Sequence, residues 1–93
     1  MLDSVVKLEI RPELRLWVEF SDGVSGVVDL SKREKRGVFA PLADPSFFAQ
    51  ARIDEYGVVC WPNGADLAPD AMHDELRRNN GLWVVGAPSR AAA

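Results

Sequence analysis

The chain has 93 residues, of which 47% are hydrophobic and 27% charged, with a net charge of −3 and a pI near 5.0. One domain of this length buries roughly 60–65% of its unfolded surface, and the ordinary composition excludes an intrinsically disordered chain. The acidic balance argues against free-standing nucleic-acid binding, the single cysteine (Cys60) excludes an internal disulfide or a cysteine-rich zinc site, and no apolar run approaches the about 20 residues of a membrane span.

The N-terminus carries Asp3 and no long apolar core, so it does not read as a signal peptide, and a soluble cytoplasmic protein is expected. Three runs of period-2 alternation follow. Val6, Leu8 and Ile10 alternate with Lys7 and Glu9; Leu14, Leu16, Val18 and Phe20 alternate with Arg15, Trp17 and Glu19; Val24, Gly26, Val28 and Leu30 alternate with Ser25, Val27 and Asp29. They read as an antiparallel meander with one buried face. A two-residue Asp22-Gly23 turn would set Leu16 against Asp29 and Phe20 against Ser25. A three-residue loop of Ser21, Asp22 and Gly23 instead pairs Phe20 with Val24, Val18 with Gly26, Leu16 with Val28 and Leu14 with Leu30, apolar on apolar. By the same reasoning a loop of Arg11, Pro12 and Glu13 pairs Ile10 with Leu14, Leu8 with Leu16 and Val6 with Val18. On the polar face Arg15 then lies between Glu9 and Asp29, and Trp17 between Lys7 and Val27. Cover by the second half of the chain is the favoured fate of Trp17 over exposure as a contact site.

Lys32 to Arg36 reads as a solvated connection, and Val38, Phe39, Pro41 and Leu42 as a short apolar bridge. Asp44-Pro45 starts a helix, with Asp44 as N-cap, Pro45 at the first position and Phe47 and Phe48 on its buried side to about Gln50. Ala51–Asp54 and Val58–Trp61 form a second hairpin around Glu55-Tyr56-Gly57. Within it, Cys60 reads as a buried, inert thiol. Asn63-Gly64 turns the chain, and Asp66 and Pro69 launch a final helix. Asp70 and Asp74 lie in its first turns, Arg77 and Arg78 in its last, with Met72 and Leu76 as its core stripe. The fold class is α+β: a small meander of three strands, a short helix, a second hairpin and a C-terminal helix. A single domain spans 1–80, and 81–93 form an apolar segment, Leu82-Trp83-Val84-Val85, with a small-residue tail.

With these elements placed, the chain resembles the bacterial family known as domain of unknown function 2442, from about Val5 to about Leu76. The resemblance rests on Leu16-Trp17-Val18-Glu19-Phe20-Ser21-Asp22-Gly23, Val28-Asp29-Leu30, Gly37-Val38-Phe39 with Pro41-Leu42, Asp44-Pro45 with Phe47-Phe48, and Trp61-Pro62-Asn63-Gly64-Ala65-Asp66-Leu67 with Pro69-Asp70. It implies a small α+β domain similar to the N-terminal half of proteins that continue into a helix-turn-helix domain, for which the present sequence ends too early. It also implies an antitoxin-like partner of another small protein. It supplies no catalytic residues.

Candidate sites are few. Asp70, His73 and Asp74 share a helix face and suggest divalent-ion ligands of a small metal-dependent enzyme, but acidic residues at a helix start are better explained by the helix dipole. One histidine leaves no clear base for a nucleophile. Lys32, Arg33, Lys35 and Arg36 could contact phosphates, although a solvated loop on an acidic domain is the simpler reading. Packing outweighs ligand stacking for Trp17 and Trp61. Leu82, Trp83, Val84 and Val85 form either a free segment that adds to a partner's sheet or a docked strand, and both remain open. The expectation is therefore a non-enzymatic protein-interaction module without metal or cofactor. Its contacts are Trp17 and Leu82 to Val85, with nucleic-acid-linked regulation through the basic loop as the alternative.

Overall fold

Alternation of buried and exposed side chains organises the first half of the protein, whose computed structural model describes residues 4–32 and 37–85. Strands β1 (Val5–Arg11), β2 (Arg15–Phe20) and β3 (Ser25–Asp29) form the expected meander. Leu16 pairs with Val28 and Val18 with Gly26, as the three-residue loop requires. Phe20 donates its amide to Val24 at 2.7 Å, and Gly23 takes the left-handed conformation at φ 95°.

The first hairpin departs from expectation. Leu8 pairs with Val18 and Ile10 with Leu16, two residues further along β2, so the loop is Pro12, Glu13 and Leu14. The carbonyl of Leu14 is engaged by the amide of Leu30, and Glu13 and Leu14 both adopt φ 62° to make the turn. An even shift leaves each side chain on its expected face. It changes the partners: Arg15 lies between Arg11 and Asp29, and Trp17 between Glu9 and Val27. An irregularity between Val5 and Lys7 then places Val5, rather than Val6, in the core.

The expected apolar bridge takes the form of a 3-10 helix over Gly37–Ala43 and buries Leu42. Helix α1 (Pro45–Phe48) is shorter than expected but capped as expected, with the Asp44 carboxylate accepting from the Ser46 amide. The second hairpin, β4 (Arg52–Ile53) and β5 (Val59–Cys60), does not join the meander. It gains a third strand, β6 (Asp66–Leu67), to make a separate sheet in the order β4-β5-β6. Asp66 is therefore a strand residue. The cap of helix α2 (Pro69–Arg78) is Ala68, without a side-chain hydrogen bond. Cys60 is only half-buried.

Both sheets and α2 share one core. Leu16, Val18, Phe20 and Val28 meet Val59, Trp61 and Leu67 of the second sheet, and Met72 and Leu76 of α2. Trp61 ties the layers together: its indole N–H donates to the Phe48 carbonyl at 2.9 Å, and its ring lies 5.7 Å from that of Phe48. Asn63 reaches back to the Val38 carbonyl at 2.8 Å. The Trp61-to-Leu67 stretch is thus a packing hub.

After α2, Asn80 and Gly81 adopt left-handed conformations, and the Gly81 amide bonds the Leu76 carbonyl at 2.8 Å, a Schellman-type stop. The chain then enters β7 (Leu82–Val84), which pairs parallel to β3 and completes the order β1-β2-β3-β7. Gly26 permits this return. A Cβ built there would lie 2.3 Å from the Gly81 carbonyl oxygen, a backbone atom held by its bond to the Val27 amide at 2.8 Å.

Two outcomes follow for thermal or denaturant unfolding. Gly26→Ala should cost about 1–3 kcal/mol through overpacking and should increase hydrogen exchange at the Val27 and Val85 amides. Glu13→Gly should stabilise by roughly 0.5–1 kcal/mol, because glycine adopts the left-handed conformation without the Cβ penalty.

Candidate functional site

The second face of the four-stranded sheet carries the candidate site. Alternation in β2 sends Leu16, Val18 and Phe20 to the core and Arg15, Trp17 and Glu19 to the opposite side. The register then assembles two rows on that side: Glu9, Trp17, Val27 and Leu82, beside Arg11, Arg15, Asp29 and Val84. Helix α2 and the second sheet contribute to the core on the other face. Trp17 is half-buried on this face, where the second half of the chain contributes Leu82 and Val84 of β7. Trp17, Val27 and Val84 are half-buried, and Leu82 is 45% exposed. They form an apolar half-face ending at the β7 edge; the β1 half is charged.

Strand β7 divides the apolar segment. Leu82 and Val84 join Trp17 and Val27, whereas Trp83, opposite Val28, packs against the core and Val85 is buried. Four adjacent apolar residues concealed this division, because such a run has no visible alternation. Val27 had a signal in the sequence: it is an apolar residue on the polar parity of its strand, next to Trp17.

Asp29 anchors the centre. It is buried, accepts hydrogen bonds from the Ser31 amide at 2.8 Å and hydroxyl at 2.6 Å, and meets Arg15 Nε at 3.3 Å. Burial pushes its carboxyl pKa up. The Ser31 hydrogen bonds and the Arg15 guanidinium more than offset that effect and hold it below the ordinary value. Its carbonyl accepts from Val85, so the residue also fastens the end of β7.

The other candidates do not converge. Lys32 is exposed, while Arg33, Lys35 and Arg36 lie outside the described residues. His73 Nε2 donates to Asp22 Oδ2 at 2.7 Å, and its ring meets Phe20 edge-on at 5.0 Å. The histidine bond, followed by that of the Val24 amide, lowers the Asp22 pKa. Asp74 pairs with Arg78 at 2.7 Å, and Asp70 lies exposed in the first turn of α2. Among the described residues no three His, Cys, Asp or Glu side chains gather where they could hold a metal ion, and no helix is long and apolar enough to cross a membrane. A groove of about 270 Å³ lies between the first hairpin turn and α1, walled mainly by Ile10, Pro12, Leu14, Pro45 and Phe48, away from the apolar half-face.

Residues 5–78 match the model of a family described as "Protein of unknown function (DUF2442)". No curated protein and no solved structure matches the chain.

A depressed folded-state pKa makes Asp29 stabilising above its unfolded value near about pH 4, with that contribution lost as pH falls through the lower folded value. Asp29→Asn should therefore cost about 1–3 kcal/mol at neutral pH. Urea unfolding as a function of pH should show a smaller acid loss in this variant than in the parent protein.

Proposed function

The chain belongs to the DUF2442 family, and from that premise we propose that it is a non-enzymatic protein-interaction module, an antitoxin-like or regulatory partner of another small protein. The observation that carries this reading is the apolar half-face of Trp17, Val27, Leu82 and Val84, continuous with the three-residue edge strand β7. Aromatic and aliphatic side chains on a rigid sheet lose little conformational freedom on binding, which makes them efficient anchors. An edge strand also offers its unpaired backbone to an extended segment of a partner. The occupant that fits is such a segment, with apolar side chains at alternate positions to cover Leu82 and Val84 and a neighbouring group over Trp17.

Several features favour binding over catalysis. The only histidine is engaged by Asp22 and Phe20, and Asp29, the most buried carboxylate among the described residues, has its oxygens occupied by Ser31 and Arg15. Both arrangements hold structure in place.

Co-expression with the product of the adjacent gene, followed by purification and calorimetric titration, provides the test. A complex is expected, and Trp17→Ala and Leu82→Ala should each weaken it about tenfold or more, equivalent to about 1.4 kcal/mol, with little change in melting temperature. Absence of a complex, or unchanged affinity in both folded variants, would overturn the assignment.

A further inference from the structure

The opposite edge of the sheet has a different character. Among the described residues strand β1 pairs with β2 alone, and its open side begins after Val5, whose amide is taken by the Gly57 carbonyl at 3.0 Å. Phe20 donates to Val24 and Leu30 to Leu14, so the even-numbered residues of β2 turn their backbone groups towards β3 and the odd-numbered ones towards β1. Lys7, Glu9 and Arg11 are the β1 partners of those odd-numbered residues. Leu8 and Ile10 therefore direct their N–H and C=O groups to the open side. Val6 is 51% exposed and Ile10 39% exposed, two of the few large hydrophobic residues so placed.

We propose that this edge pairs antiparallel with β1 of a second copy about a two-fold axis at Leu8, joining two four-stranded sheets into one of eight strands. The regular open segment Lys7-Leu8-Glu9 is complementary to itself when reversed. Leu8 faces its own counterpart and exchanges two backbone hydrogen bonds with it. Lys7 faces Glu9 and Glu9 faces Lys7. Each opposite-charge pair favours this alignment. A two-residue slip one way sets Glu9 against Glu9, and a slip the other way sets Lys7 against Lys7. Charge thus selects one register that the backbone alone would not. Within each chain Glu9 already lies 2.8 Å from Arg11, and Lys7 lies 3.9 Å from Glu19. The pairing links these exposed pairs into a continuous row of alternating sign across the dyad. The Gly57 carbonyl at Val5 marks where the ladder ends.

This proposal is independent of the partner-binding face, because β1 and β7 are opposite edges of the sheet. Sedimentation equilibrium of the whole chain tests it. The unmodified protein should dimerise, and Lys7→Glu or Glu9→Lys alone should each raise the dimer dissociation constant about tenfold or more by placing like charges opposite each other twice. The double variant Lys7→Glu/Glu9→Lys should recover dimerisation, and a mixture of the two single variants should form a heterodimer. Circular dichroism should show all variants folded, since both side chains are solvent-facing. A monomer at the highest soluble concentration, singles that dimerise like the parent, or a double variant without recovery would each overturn the proposal.

Discussion

The approach of Gly81 to Gly26 governs the geometry of the main sheet. Only a residue without a Cβ lets the Gly81 carbonyl lie against β3 and accept the Val27 amide. That contact brings β7 into parallel register and sends its side chains alternately to the two faces. One set, Trp83 and Val85, closes the hydrophobic core over β3. The other, Leu82 and Val84, extends the apolar ground around Trp17. A single short distance between two backbones therefore determines both how the core is completed and what the opposite face presents.

The second sheet performs a separate task. Its strands are only two residues long, too short to be stable alone. Trp61 compensates by filling the space beneath the meander while its indole N–H satisfies the Phe48 carbonyl, so a large ring is buried without an orphaned donor. The family-like run around Trp61 is informative about architecture for that reason. Its proline, asparagine and glycine shape an exposed turn between the buried Trp61 and Ala65.

Much of the meander was legible because alternation and turn chemistry agreed. Between β2 and β3 only one loop length placed apolar residues opposite each other. Between β1 and β2 two loops did so, and the choice depended on the left-handed conformations of Glu13 and Leu14, which no residue preference announces. The helix start at Asp44-Pro45 was plain because both residues act locally. The role of Gly26 was hidden, since it depends on a chain segment distant in sequence. The same distance concealed the parallel pairing of β7: four consecutive apolar residues fit a strand, a helix flank or a free segment equally well. The candidate face was half visible, through Trp17 and Val27, and its remaining half emerged only with tertiary structure.

The pairing of β3 with β7 joins segments separated by more than half the length of the chain. Such a closure has a high entropic cost and follows the local hairpins in time. The apolar half-face is thus absent from a partly folded chain, however complete its meander. A molecule gripping Trp17 and Leu82 together also opposes the opening of β7, and its binding energy adds to the resistance of the domain to local unfolding and proteolysis. Occupancy of this face would accordingly be recorded in the lifetime of the protein.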